Sequence, residues 1–508
     1  MLAAAFAACG AGLFAAQPID ERGNDFLRTR LNPVPKECKF FNEFYALRPN
    51  APVKIAAAAK LENSDAASLA QTLKSYFGFD VNIEDSAKPE NATLGNEGYA
   101  ITIDAEGISI DAVDFVAARQ ALKTLRQMAE PERDGEGWIF AHCKIKDFAA
   151  LKFRGIHICI FPETTMESLQ KYVRLAAYYK FNYIVLEPWG TFPFKSHPEF
   201  SFPDKTKDRA QMKKLIELCR ELGITPIPQF SVLGHATQAR ASGGKHAVLA
   251  HAPEFADIYE PLGWSYCMSS ERGEKILKEL VAELHEFFGN PPFFHIGCDE
   301  VFDIATCYKC RQHNPSELYV KHLKKFSDFV KSRGARAIIW HDMLLDAKDP
   351  RWKNEVTHGD AITAEALKTL SRDIIIADWQ YSFQDKNQTV FPTPVFFKNA
   401  GFDVIVCPWE VKSGIYALAK TAQENNLFGY LETTWNHMFA SNIDTFFYNA
   451  GDAAWNGASA AMRQEALIPR LQQKLAVARH IMDIENDAKI TKYDDSGKVR
   501  RQLILDIK

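Results

Sequence analysis

From residue 151 onward, short apolar runs alternate with longer segments in which apolar residues recur every three or four positions. The runs 153–160, 183–186, 225–230, 293–296, 337–340, 374–379, 403–407 and 427–431 predict strands, and 165–179, 209–222, 273–288 and 317–332 predict amphipathic helices among the earlier ones. Runs that are apolar throughout, rather than at alternate positions, suit strands covered on both faces, as in a parallel sheet wrapped by helices. Eight such units over roughly 310 residues predict an α/β fold, a (β/α)8 TIM barrel, whose chemistry gathers at the C-terminal ends of the strands.

Upstream the rhythm is different. Gly98 to Asp104 alternates apolar and polar residues, Glu106-Gly107 supplies a turn, and 108–112 alternates again, which predicts a β-hairpin. Phe115, Ala118, Leu122, Leu125 and Met128 follow at helical spacing, and a charged, turn-prone stretch at 131–137 leads toward the barrel. The expected organisation is a signal-peptide or disordered leader at 1–22, a small α+β domain at 30–148, the barrel at 149–485 and a tail at 486–508.

Composition narrows the partners. A chain of 508 residues is long for one hydrophobic core, and 47% hydrophobic with 24% charged residues is ordinary for globular domains. The formal charge of −4, without any Lys/Arg run interleaved with aromatics, argues against nucleic acid. No internal apolar run nears the ~20 residues that span a bilayer. Met1 to Ala16 is uncharged and rich in Ala, Leu and Phe, with Ala-Ala before Gln17; it resembles a signal-peptide core without the positive n-region and points to a periplasmic or extracellular protein. Ten cysteines spread through so long a chain are not the dense framework of a disulfide-stapled domain.

The predicted strand ends carry Glu187 and Trp189, His235, Asp299 and Glu300, Trp340 and Asp342, Asp378 and Trp379, Trp409 and Glu410, and Trp435, with Arg154 and His157 in the first strand. Tryptophan offers flat apolar walls for the C–H faces of a pyranose, while Arg154 and the acids supply the donors and acceptors that hydroxyl groups need. Pro292 to Val301 is the most informative run, an apolar strand that ends in the adjacent carboxylates Asp299 and Glu300. Glycoside cleavage usually sets two carboxyl groups about 5–9 Å apart across the scissile bond, a poor fit to neighbouring strand residues, which point to opposite faces. A substrate-assisted route removes the mismatch. The sugar's own 2-acetamido oxygen attacks the anomeric carbon, Glu300 serves as general acid and then base, and Asp299 orients the acetamido N–H. Glu300 should then be protonated when substrate arrives, and Asp299 ionised.

These residues resemble glycoside hydrolase family 20, the β-N-acetylhexosaminidases. His295-Ile296-Gly297-Cys298-Asp299-Glu300 is similar to the family's His-x-Gly-Gly-Asp-Glu motif, with Cys298 at the second Gly. Arg154-Gly155 resembles the Arg-Gly that opens the family's barrel, and Gly223 to Pro228 followed by Gly234-His235 resembles its third-strand segment. Ile339-Trp340-His341-Asp342 and Trp379 resemble the lining of its acetamido pocket, and Trp435 its last-strand tryptophan. The resemblance covers 36–457 and implies an exo-acting, retaining enzyme that takes glycans with a terminal β-linked GlcNAc or GalNAc and needs no cofactor for the chemistry. It implies Asp299 and Glu300 as the catalytic pair, and Arg154, His235, His295, Trp340, Trp379, Tyr381, Trp409 and Trp435 as substrate-binding residues. No motif places the family's acetamido-contacting tyrosine, for which Tyr381 is the candidate.

The chain departs from that pattern in three places. Cys159 replaces an Asp after the first strand, Leu186-Glu187-Pro188-Trp189-Gly190 replaces Trp-His-Leu-x-Asp-Asp, and Trp-x-Glu at the last strand becomes Trp435-Asn436-His437. The dyad is kept while hydroxyl recognition is altered, so GlcNAc and GalNAc both stay open.

Cys307-Tyr308-Lys309-Cys310, with His313 beyond, forms a C-x2-C-x2-H cluster in the loop after the fourth strand. Such a turn presents two thiolates to one zinc ion. Cys298, Cys307 and Cys310 are the candidate metal ligands, with Cys267 or His313 to complete the set, and the ion would pin the loop beside the dyad; a local disulfide or an idle pair fits the spacing as well. Two further readings stand beside the glycosidase: a carbohydrate-binding barrel without catalysis, and a metal-dependent hydrolase using the Cys/His loop.

Overall fold

Alternation of apolar and polar residues builds the sheet of the first unit. In the computed structural model the expected hairpin forms between Tyr99–Asp104 and Gly107–Ala112, inside a seven-stranded mixed sheet. Trp138–Asp147 pairs antiparallel with Tyr99–Asp104 and with Glu37–Leu47, while Pro52–Ala57 runs parallel to both Gly107–Ala112 and Asn82–Asp85. The helix Phe115–Met128 starts where the Asp114 side chain accepts the Ala117 N–H, and it buries Ala118, Leu122 and Leu125.

The structure describes residues 17–460 apart from 29–30, 58–60, 86–93, 133–136, 238–247, 385–387 and 436–443, together with 488–490 and 503–505. The apolar leader at 1–16 and the departures Asn436 and His437 therefore lie outside the described residues. The chain divides into two units, Met1–Phe148 and Ala149–Lys508.

The second unit contains eight parallel strands: β1 (Phe153–Ile160), β2 (Tyr183–Pro188), β3 (Thr225–Pro228), β4 (Phe293–His295), β5 (Arg336–Trp340), β6 (Ile375–Trp379), β7 (Asp403–Cys407) and β8 (Gly429–Glu432). Their order is β3-β2-β1-β8-β7-β6-β5-β4. The ring completes where Gln229 bridges to His295, with the Phe230 N–H donating to His295 O and the Val232 N–H to Ile296 O, both at 3.0 Å. This is the expected (β/α)8 barrel. Helices such as Met166–Tyr178, Arg209–Glu221, Glu271–Phe287 and Pro315–Ser332 follow the strands, but after β5 there is only the short Ala361–Ala364 with 3-10 turns.

Strand parity explains the continuous apolar runs. Phe153, Val185, Ile227, Phe293, Ile338 and Leu431 fill the barrel interior, while Ile156, Ile158, Leu186, Ile339 and Val406 pack under the helices. In the segment expected as a tail, Ala488–Ile490 pairs antiparallel with Leu503–Leu505. No helix among the described residues is long and apolar enough to cross a membrane.

Candidate active site

β4 ends at His295, and the backbone then abandons extended geometry. Gly297, Cys298 and Glu300 have φ of +67°, +73° and +46°, and His235 on the facing loop has +55°. Left-handed conformations at non-glycine residues are uncommon and cluster at functional sites. Two glycines make this packing feasible. A Cβ on Gly297 would sit 2.6 Å from Ser231 Oγ, and one on Gly234 would meet Asp299 O at 2.1 Å. Ser231 Oγ accepts the Cys298 N–H at 3.3 Å and donates to Gly234 O at 2.8 Å, so the β3 loop lies directly on the backbone of the dyad.

The bend brings both carboxylates to one side. His235 Nε2 lies 3.2 Å from Asp299 Oδ2 and 3.1 Å from Glu300 Oε2. Asp299 is buried, whereas the Glu300 side chain is 28% exposed. The Glu300 backbone is held from two directions: its N–H donates to Asp342 Oδ2 at 2.9 Å, and the Trp264 indole N–H donates to its carbonyl oxygen. His358 Nδ1 lies 3.1 Å from Asp342 Oδ2 and 3.8 Å from Glu300 Oε1. Burial alone would lower the His358 pKa, but the Asp342 hydrogen bond and the charges of Asp342, Glu300 and Asp299 hold it above its ordinary value.

Aromatic rings line the rest of the mouth. Trp379 packs against His358 and Tyr381 with ring centres 5.4 and 5.3 Å away, and Tyr381 meets Trp409 edge-on at 5.1 Å. Burial keeps the Tyr381 phenol well above its usual pKa, with the charges of Asp299 and Glu300 adding to the shift, so its hydroxyl stays a donor. Trp435 packs on His157 at 4.6 Å and on Trp340 at 5.3 Å.

Three expected sugar contacts are placed elsewhere. Arg154 stands on the outward parity of β1, next to its N-terminal end, where it donates to Leu151 O at 2.7 Å and Lys180 O at 3.1 Å and covers the Trp455 ring at 4.9 Å. It is fully buried away from the mouth. His295 and Trp340 do face inward, but both are buried and pack together with ring centres 4.2 Å apart, forming a floor rather than an open wall. Asp378 also turns outward, accepting from Thr393 Oγ1 at 3.1 Å and Gln380 Nε2 at 3.3 Å.

Other residues take positions that the motifs did not single out. Glu187, buried at the end of β2, accepts from Gln229 Nε2 at 2.8 Å and Trp189 Nε1 at 3.0 Å, with His157 Nε2 at 3.2 Å and Cys159 Sγ at 3.6 Å. Its strand-end position was the available signal. His358 and Trp264 lie in loops without a motif, and nothing in the local sequence marks them.

The metal expectation changes in membership. Cys298 Sγ points back to Ile296 O at 3.3 Å and His313 is exposed, so neither joins the Cys307–Cys310 turn. Cys267 and Glu260 join it instead, and all four residues are buried. Burial of all four sets the cluster apart from the open mouth where Glu300 is exposed.

Residues 28–148 match the family profile described as "Glycosyl hydrolase family 20, domain 2", and residues 200–456 match "Glycosyl hydrolase family 20, catalytic domain". A beta-hexosaminidase of Vibrio furnissii is 22% identical over 452 residues, covering 77% of this chain and 66% of that protein. Flavobacterium johnsoniae chitobiase superposes with a TM-score of 0.68 at 16% identity, over 89% of this chain and 73% of that one. The Streptomyces plicatus N-acetyl-beta-hexosaminidase, solved in complex with Thio-NAglucal, gives 0.65 at 15% identity over 92% and 96%. This chain spans 35% to 66% of the length of five curated relatives that it matches.

Proposed function

The chain belongs to glycosyl hydrolase family 20, and on that premise we propose that it is an exo-acting, retaining β-N-acetylhexosaminidase that releases terminal β-linked GlcNAc or GalNAc. The observation that carries this reading is the approach of one atom, His235 Nε2, to both Asp299 and Glu300 within 3.2 Å. Two acids gathered on one side of a mouth do not straddle a glycosidic bond in the manner of an ordinary retaining pair, about 5–5.5 Å apart. They suit a substrate that brings its own nucleophile.

In this scheme Glu300 gives its proton to the glycosidic oxygen as that bond breaks, while the 2-acetamido oxygen attacks C1 and forms an oxazolinium ion. Asp299 accepts the acetamido N–H and offsets the positive charge; Tyr381 donates to the acetamido oxygen and orients it. Water, deprotonated by Glu300, then attacks C1 from the side that the leaving group vacated and reopens the ring, which gives retention. Trp379, Trp409 and Trp435 supply apolar walls. The chemistry draws on no cofactor. With it goes a structural zinc ion at the Cys307–Cys310 turn, outside the reaction path.

The test is hydrolysis of paired aryl GlcNAc and GalNAc glycosides by the wild type, Glu300→Gln and Asp299→Asn, with folding checked by circular dichroism. The expected result is wild-type turnover of at least one substrate, loss in Glu300→Gln and near loss in Asp299→Asn. Retained turnover in both variants overturns the assignment, and sugar binding without release by the wild type favours a barrel that only binds.

A further inference from the structure

Behind the dyad, the loops after β3 and β4 bring Glu260, Cys267, Cys307 and Cys310 together, with one ligand atom from each within 4.8 Å of the others. Cys267 Sγ lies 3.4 Å from Cys307 Sγ and 3.5 Å from Cys310 Sγ. A tetrahedron with zinc–sulfur bonds of ~2.3 Å has edges of about 3.8 Å, so small outward shifts would seat an ion among the thiols. The Cys310 N–H donates to Cys307 Sγ at 3.3 Å, which closes the two cysteines into one tight turn.

The carboxylate is the independent sign. Glu260 Oε2 accepts the Cys307 N–H at 2.6 Å and the Thr306 hydroxyl at 3.1 Å, while Oε1 is buried with no hydrogen-bond partner. A buried carboxylate oxygen left with neither a donor nor a cation is unfavourable. Cys310 Sγ also lies 3.2 Å from Ser269 Oγ; a disulfide between two of the cysteines would still leave the Glu260 oxygen unmatched, whereas a single divalent cation would take up all four groups. Thiolate ligands favour a soft or borderline ion, and the donor set is no more negative than a four-cysteine zinc centre.

We propose that Glu260, Cys267, Cys307 and Cys310 bind one zinc ion in a closed, structural site. Its effect is mechanical, because the ion ties the Glu260–Cys267 segment to the loop that leaves Glu300. That segment carries Trp264, whose indole donates to the Glu300 carbonyl and whose ring packs on His235 at 4.5 Å and on Phe302 at 5.9 Å. The ion thus sets the register of the two loops that meet at the acid. The proposal does not depend on the glycosidase reading, and neither does its test.

Full-length protein is purified without chelator and analysed for metal content. The chain is then stripped of metal, titrated with Co²⁺, and compared with Cys267→Ser and Cys310→Ser. The expected results are one zinc per chain, an intense thiolate-to-cobalt charge-transfer band in the stripped wild type, and loss of both in each variant. Hydrogen exchange should quicken in 258–268 and 301–312 on stripping and slow again with Zn²⁺. Absence of zinc after reconstitution with no cobalt band, or a disulfide joining two of the three cysteines in protein kept from oxidation, overturns the site. Unchanged exchange in a zinc-binding chain overturns the clamp. If the variants do not fold, the cobalt band of the stripped wild type still decides.

Discussion

Asp342 accepts the Glu300 backbone N–H on Oδ2, the same oxygen that lies 3.1 Å from His358 Nδ1. One buried carboxylate therefore fixes the acid's main chain and supports the charge of a histidine 3.8 Å from the acid's side chain.

Asp342→Ala should lower kcat far more than it raises KM, because it displaces the proton donor without touching the sugar. A misplacement of about 1 Å costs on the order of 10²-fold. Asp342→Asn keeps an acceptor but removes the charge, so the His358 pKa should fall toward the value that burial favours. Steady-state kinetics across pH checks both, and a normal kcat in Asp342→Ala would refute the positioning role.

Arg154→Ala should destabilise the fold and leave KM of the folded enzyme unchanged. The substitution strands the carbonyl oxygens of Leu151 and Lys180 and uncovers the Trp455 ring. The loss is on the order of 3 kcal/mol. Denaturant unfolding and KM for an aryl N-acetylhexosaminide separate the two roles; a large rise in KM would return Arg154 to the mouth.

Asp378 gives a pH signature in stability. Burial raises its carboxyl to about 7, while the Thr393 and Gln380 hydrogen bonds pull the other way. The unfolded chain sheds this proton near pH 4 and the folded one holds it to about 7, so its contribution weakens as pH rises through that window. His341 opposes it: burial lowers its pKa to about 4, so stability from that group increases between about pH 4 and 6.5. Asp378→Asn keeps the acceptor for Thr393 and removes the titration. Its Tm relative to wild type should climb from about pH 4 to 7 and then level. A difference independent of pH would contradict the assignment.

The barrel, and the placing of Asp299 and Glu300 just beyond its fourth strand, were legible in the sequence because each follows from a local rule. Eight apolar runs separated by helical periodicity specify parallel strands, and Asp299-Glu300 after such a run marks a strand end. Arg154 was misread because an Arg-Gly pair looks the same at either end of a strand, and only register and parity show that it faces the helices. The convergence of Glu260 on the Cys307–Cys310 turn was illegible for another reason, and Cys267 could be named only as one of several residues able to complete the set. The cluster joins residues 40 to 50 positions apart through loop geometry that no periodicity encodes. His358 and Trp264 escaped notice similarly, each reaching Glu300 from a loop.

The clearance at Gly234 has a consequence for adaptation. With no room for even a methyl group between that residue and the Asp299 carbonyl, the acidic arc of the mouth is a fixed jaw. Wider or differently linked leaving groups would have to be accommodated by changes elsewhere around the rim, away from the dyad and the acetamido-orienting Tyr381. Directed evolution toward new aglycones or transglycosylation should therefore accumulate changes there and leave the Gly234–His235 loop untouched.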